Sequence, residues 1–323
     1  MSQTPGVTAV LLAYHRPQAV AEVLARLATL PVDEVVVVDN SSDEETADVV
    51  RAAPGNVHLV RTGENLGIAG RNRAAERASH ELLLMLDDDS YPLAGAVEEL
   101  VAMFERSPRL GVVGGLVRDV DEDKEVVLDT QLGTFDWWLR GGETGPAPDE
   151  GFPAFFFPEG ACMVRRAAYL AVGGFYEPFF FASTEVDLAT RLLAAGWDVR
   201  YQPRAAFDHM KVAAGRASVH DVLRLRIRNH FWYLWLRFPL AVAVPRIVAY
   251  ALFDLLNAAY RGAPRSWLGG VVDAWRQRSL VAGDRAPVPR SLVARVEGRR
   301  LRMHAQVITR RLREGKWRSF LRR

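Results

Sequence analysis

The chain has 323 residues, 49% of them hydrophobic and 25% charged, with a net charge of +2. That is the composition of an ordinary globular protein long enough for one large domain, or for one domain with a substantial appendage. A single cysteine, Cys162, excludes an internal disulfide and fits a reducing compartment. The first residues lack a basic stretch followed by an apolar run and a small-residue cleavage site, so no secretory signal is expected and the cytoplasm is the expected location.

VTAVLLAY reads as a first buried strand, and Gln18 to Leu30 as a helix with Ala19, Val20, Val23, Leu24 and Leu27 on one face. EVVVVD is a second strand ending on polar residues, followed by a helical pattern through Val49 and Val50. VHLVR is a third strand, NLGIAGRNRAAERA opens a helix, and ELLLMLDDD is a fourth strand ending in acid. This alternation predicts an α/β fold whose parallel sheet carries helices on both faces. In such sheets ligands bind beyond the carboxyl ends of the strands, where Tyr14 to Arg16, Asp39 to Ser42 and Asp87 to Asp89 fall. From Arg118 to Pro158 the regularity fails in Gly- and Pro-rich sequence, predicting long loops with at most short edge strands. Beyond it, ACMVRRAAYLAVGGF and EVDLATRLLAAGWDVRYQP read as helices separated by Gly-Gly and ended by Gly196.

The adjacent carboxylates Asp87, Asp88 and Asp89 repel one another, and ending a strand does not require them. A hard divalent cation bridging to phosphate would offset the repulsion, and Mg²⁺ or Mn²⁺ prefers such oxygen ligands. In an extended segment Asp87 and Asp89 face one side and Asp88 the other. Asp39 could accept hydrogen bonds from a ribose or a base, although its cluster would also serve simply as a helix cap. The Asn65, Gly67, Gly70 and Arg71 segment would let backbone and a guanidinium approach a phosphate, but it lacks the dinucleotide fingerprint. Trp137 and Trp138 read as core more readily than as a sugar platform.

In this order the segments resemble the family 2 glycosyltransferases, inverting enzymes of GT-A fold, and within them the bacterial rhamnosyl and galactofuranosyl transferases. The resemblance rests on VTAVLLAYHRP, VVVVDNSSDE, NLGIAGRNRA, LLLMLDDDS and FYEPFFFASTEVDLATRLLAAGWDVRYQPRAAFDH, and covers about the first two-thirds of the chain. It implies a catalytic domain over residues 1–211, divided into a nucleotide-binding half (1–117) and an acceptor half (118–211). A helical basic extension would occupy 212–323. It further implies that Asp39 contacts the nucleoside, with Tyr14 and Arg16 in the base pocket. Asn65, Gly67, Arg71, Asp87 and Asp88 would line the diphosphate and sugar. Asp89, Asp87 and His209 would hold the metal. The family's catalytic base is the second acid of an EDxDL-like segment, which here reads Thr184-Glu185-Val186-Asp187-Leu188. The first acid is missing, Glu185 occupies the base position, and Asp187 stays a second candidate. Tyr176 stands where the family carries an aspartate.

No QxxRW segment of the processive synthases is present, so the implied reaction is transfer of a single sugar from a UDP- or dTDP-sugar to a hydroxyl acceptor. Lipid-linked and cell-envelope glycans are among the acceptors it implies. A catalytically silent sugar-nucleotide-binding or membrane scaffold is the alternative that the missing acid keeps open. A nucleotidyltransferase is disfavoured by the absence of a Gly-rich basic opening after the first strand.

From Val222 to Arg323 there are 22 Lys and Arg against 5 Asp and Glu. In this part Val222 to Leu236 has helical spacing, Phe238 to Leu256 reads as an interfacial helix interrupted by prolines and charges, and Leu301 to Arg323 as a basic amphipathic segment. The inner face of the membrane is one expected partner, and packing on the acidic catalytic domain is the other. No nucleic-acid-reading motif accompanies the charge.

Overall fold

A computed structural model describes residues 5–41, 43–120, 136, 139–140, 145–210, 218–260, 262–298 and 309. Ser42, Trp137, Trp138 and, but for Thr309, the segment from Leu301 to Arg323 lie outside the described residues.

The sheet begins as the sequence predicts. β1 (Val7–Ala13), β2 (Glu34–Asp39), β3 (Val57–Arg61) and β4 (Leu82–Asp87) run parallel in the order β3-β2-β1-β4. Their interior strands are continuous apolar runs because helices cover both faces. α1 (Pro17–Leu27) starts on a proline, which suits the first helical position, and buries Val20, Val23, Leu24 and Leu27. α2 (Glu45–Ala52) and α3 (Arg71–Arg77) complete the crossovers, α3 being entered through a 3₁₀ turn at Gly67–Gly70. In register, Ala13 lies opposite Asp39, Leu12 opposite Asp87 and Asp39 opposite Arg61. The polar strand ends therefore share one edge of the sheet.

The other half is mixed. β5 (Ser90–Pro92), α4 (Ala96–Arg106), β6 (Leu110–Val120), β7 (Phe152–Pro153), β8 (Ala161–Arg165), α5 (Arg166–Ala171), α6 (Thr184–Ala194) and β9 (Asp198–Met210) extend the sheet in the order β4-β8-β6-β9-β5, with β7 on β9. β8 corrects the helix expected over Ala161 to Arg165: ACMVR is inserted antiparallel between β4 and β6. A short apolar run buried on both faces has no period that distinguishes strand from helix, and only its neighbours decide. β9 pairs parallel with β6, bringing His209 opposite Asp119, and antiparallel with β5, bringing it opposite Ser90.

Beyond residue 218 come α7 (Val219–Arg237), α8 (Leu240–Tyr260), α9 (Pro264–Arg276) and a helix over 290–298. Trp232, Leu234 and Leu236 of α7 and Leu292, Val293 and Val296 of the last helix join one apolar cluster with Phe179, Leu188 and Leu192. Two basic residues of α7 are engaged internally: Arg224 pairs with Asp273 at 2.5 Å, and Arg228 donates to Gln277 and to the carbonyls of Pro178 and Phe179. Among the described residues no helix is long and apolar enough to cross a membrane.

Asp187, wholly buried in α6, is held by Arg191 Nη2 at 2.7 Å and by Arg237 Nε of α7 at 2.6 Å. Removing one partner of a buried pair costs more than the pair contributes. Arg237→Ala, which leaves Asp187 with Arg191 alone, should lower stability by about 3 kcal/mol in urea denaturation. A loss within about 0.5 kcal/mol, the range of ordinary surface substitutions, would mean that this joint does not hold the extension.

Candidate active site

Three groups of side chains meet at the carboxyl edge. In the first, Arg16 Nη1 donates to Asp88 at 3.0 Å and Asp89 at 2.9 Å, and the Tyr14 backbone N–H donates to Asp88 at 3.2 Å. Asp88 is therefore turned toward the same guanidinium as Asp89, not away from it as strand alternation suggests, because the chain leaves β4 at Asp87 and turns. Arg16 is engaged with these carboxylates, and the Tyr14 ring stays partly exposed beside His15. His209 bonds through Nδ1 to Asp119 at 2.7 Å and points Nε2 at Asp89, 3.5 Å away. Burial, with the charges of Asp89 and Asp87, pushes the Asp88 carboxyl up to about 7 against the opposing Arg16. Burial also opposes the His209 cation, but its bond to Asp119 and the nearby carboxylates raise its pKa overall.

The second group surrounds Asp87. Arg71 is completely buried, donates to the Leu86 carbonyl at 2.9 Å and pairs with Asp87. It thus presents no surface charge at the helix entry. Glu159, which sequence reasoning did not single out, accepts a hydrogen bond from Thr184. Burial and the Glu185 charge push its carboxyl up to about 8, against Arg71 and the Thr184 bond. Gly160 is required beside it, since a Cβ there would lie 2.1 Å from Asp87 Oδ2. Burial likewise raises Glu185, at the start of α6, against its own backbone N–H and Arg226. Asp187 lies between its two arginines with no exposed surface. The signal for Glu159 was available in the sequence: Thr184 replaces an acid, and PEG places another carboxylate next to a glycine.

The third group lies at the end of β2. Asp39 accepts from the Ser41 N–H at 2.9 Å and from its hydroxyl, while its Oδ2 is buried without a hydrogen-bond partner and Arg61 Nε is 3.7 Å away. Asn65 Oδ1 accepts from the Gly67 N–H, and Asn40 Nδ2 donates to the Gly67 carbonyl, both at 2.9 Å. Gly67 has φ 60°, and a Cβ there would meet the Phe180 carbonyl at 2.1 Å.

That contact joins the third group to the second. Phe180, Ala182 and Ser183 all have positive φ, a conformation costly for residues with a side chain. Their loop is held by Ile68 N–H donating to the Phe180 carbonyl at 2.8 Å. Asn229 of α7, wholly buried, donates to the carbonyls of Phe179, Phe181 and Ala182 at 2.7–2.8 Å. Sequence reasoning missed Asn229 because its partners are some 50 residues away.

Among the described residues no group of three or more His, Cys, Asp or Glu side chains is arranged to enclose a metal ion. Asp89 and His209 nonetheless form an oxygen and nitrogen pair in a surplus of negative charge, which suits a divalent cation whose shell is completed by phosphate oxygens. Asp87 faces Arg71 instead.

A mixed α/β sheet with acids at its carboxyl edge and helices on its faces is the architecture of a GT-A glycosyltransferase. The chain belongs to glycosyl transferase family 2, whose pattern matches residues 8–173. It is 31% identical, over 66% of its length and 80% of the other's, to the N-acetylglucosaminyl-diphospho-decaprenol L-rhamnosyltransferase of Mycobacterium tuberculosis. Its fold resembles GalNAc-T7 crystallised with UDP, GalNAc and Mn²⁺, with a TM-score of 0.57 and 14% identity. That match covers 74% of this chain and 49% of the neighbour, so the chain spans about half of it. It also resembles a mannosyltransferase of Pyrobaculum calidifontis in complex with GDP-mannose and Mn²⁺, with a TM-score of 0.55 and 18% identity over 95% of this chain and 85% of that one.

Because the Glu159 pKa in the folded chain, about 8, lies above the ordinary 4.5, the folded state keeps a proton that the unfolded chain releases as pH rises between them. Stability from this site therefore falls across that window. In metal-free buffer, the stability of Glu159→Gln relative to the native protein should improve from pH 5 to pH 8, read by urea denaturation. A pH-independent difference would show that Glu159 is ionised throughout.

Proposed function

We propose that the chain transfers a single sugar, with inversion, from a UDP- or dTDP-sugar to a hydroxyl of a lipid-linked or cell-envelope glycan at the inner face of the membrane. The facing pair of Asp89 and His209, set among Asp87, Asp88 and Asp119, is the observation that carries this reading. Mn²⁺ or Mg²⁺ bound there with the donor diphosphate would neutralise the charge that develops as the diphosphate departs. Asp89 and His209 would hold it. Asp87 is held by Arg71, and reaching the ion would require loosening that pair. Asp39 offers Oδ2, which accepts no hydrogen bond, to a ribose hydroxyl or a base N–H, which would relieve the cost of a buried unsatisfied acceptor. Asn65 and Asn40 fix the turn through which Gly67 supports the acceptor loop.

Glu185 is the base in this mechanism. It accepts the proton of the acceptor hydroxyl as that oxygen attacks the anomeric carbon from the face opposite the diphosphate. Its raised pKa brings it nearer neutrality, where a general base works best. Asp187 is a poorer base because both its oxygens are engaged by arginines. The rhamnosyltransferase relative, whose name specifies a diphospho-decaprenol acceptor, supports the lipid-linked reading. The apolar stripe of α8, with Leu240, Val244, Val248, Leu252 and Leu256 each at least half exposed, supports attachment to a lipid surface.

Glu185→Gln should reduce transfer at least a thousandfold while leaving nucleotide binding intact, and Asp89→Ala should abolish both transfer and metal-dependent binding. Thermal stabilisation by UDP, dTDP and GDP with and without Mn²⁺ reads the binding directly. Near-normal turnover in Glu185→Gln, or no metal-dependent stabilisation by any nucleotide, would overturn the assignment.

A further inference from the structure

Between α7, α8 and α9 lies an apolar cavity of about 1000 Å³, away from the carboxyl edge and unused by the mechanism above. Its walls include the indoles of Trp232, Trp235, Trp267 and Trp275. Trp232 and Trp267 donate their ring N–H to the carbonyls of Ala274 and Ala251 at 3.0 and 3.1 Å, which leaves ring faces and aliphatic side chains to line the space. A space so lined favours hydrocarbon over water.

The cavity opens on the exposed apolar stripe. Val248 and Leu252 belong both to its lining and to that stripe, at 58% and 61% exposure, and Trp275 stands at the mouth at 66%. Arg276 and Arg278 also line it, Arg278 lying over the Trp275 ring at 4.4 Å. A second copy of the chain is a poor occupant, since Arg276 and Arg278 at the lip would be brought against their like. A flat bilayer would cover the lip but not the concave wall, where Trp232 is only 3% exposed. An anionic amphiphile with a flexible chain satisfies all three features: apolar interior, apolar lip and basic rim.

Helix α7 connects this space to the reaction. Asn229, which clamps the strained loop leading into Glu185, is one turn from Trp232 in the cavity wall. We propose that the cavity binds the isoprenoid chain of a polyprenyl-diphosphate-linked acceptor, with Arg276 and Arg278 beside its diphosphate. The inference rests on the lipid-linked reading of the acceptor and adds a site for its chain. Chain capture on α7 would deliver the acceptor to the element that positions the base.

Calorimetric titration of the full chain with inorganic diphosphate, geranyl diphosphate and geranylgeranyl diphosphate tests this without requiring transfer. Each buried methylene should tighten binding about fourfold, so geranylgeranyl diphosphate should bind at least tenfold more tightly than geranyl diphosphate. Ala251→Phe, which fills the cavity, should abolish that difference while leaving stabilisation by nucleotide and Mn²⁺ unchanged. Should that variant fail to fold, Trp275→Ala at the exposed mouth should weaken geranylgeranyl diphosphate at least threefold more than it weakens inorganic diphosphate. Affinity independent of chain length, or a folded Ala251→Phe or Trp275→Ala that binds the long chain as the native protein does, would overturn the proposal. Transfer to lipid-linked sugars without chain-length dependence would remove the cavity's role alone. Chain binding without transfer to any lipid-linked sugar would instead remove the functional reading.

Discussion

Arg16 and Arg71 divide the Asp87 to Asp89 run between them, and the rest of the site is arranged around that division. Adjacent carboxylates in a partly buried strand end repel one another, and the interior cannot dilute the repulsion as water does. Arg71, inaccessible in α3, fixes Asp87 and charges the space shared with Glu159 and Cys162. Arg16, at the start of α1, gathers Asp88 and Asp89 on the side where β9 delivers His209 and Asp119. Burial is the main reason that the Asp88 carboxyl is raised, with Asp89 and Asp87 adding to it against Arg16.

A second constraint joins the turn at Gly67 to the entry of α6. The loop from Phe179 to Ser183 is the entry to α6, so its shape determines where Glu185 stands. Its positive-φ residues each cost of the order of 1–3 kcal/mol, which hydrogen bonds to four successive carbonyls offset. Ile68, from the turn beside Asn65, supplies one donor, and Asn229 of α7 supplies the others. A shift at the turn beside Asn65 is therefore felt at the entry to α6, and α7 takes part in this geometry. Arg237 reinforces the same joint by entering α6 at Asp187.

The extension divides its surfaces by chemistry. Leu234 and Leu236 of α7 join the core while Trp235 faces the cavity, and Arg224 and Arg228 pair internally. α8 leaves its stripe uncovered because α7 and α9 reach only one side of it. The basic charge counted along this part of the sequence is consequently not all available to a partner.

The sequence by itself determined the first four strands, their helices and the positions of Asp39 and of Asp87 to Asp89 at the carboxyl edge. Continuous apolar runs ended by acids follow from local composition, and parallel register then aligns those ends. It determined Glu185 as a candidate too, but could not separate it from Asp187, because both acids lie in one helical turn and differ only in what approaches from α6 and α7. Tertiary structure alone decided that Arg71 faces inward, that Asp88 joins Asp89, that ACMVR is a strand, and that Glu159 stands against Thr184. Each of these depends on charges or hydrogen bonds between segments distant in the chain, and residue type and spacing carry no record of which distant partner will satisfy a buried polar group.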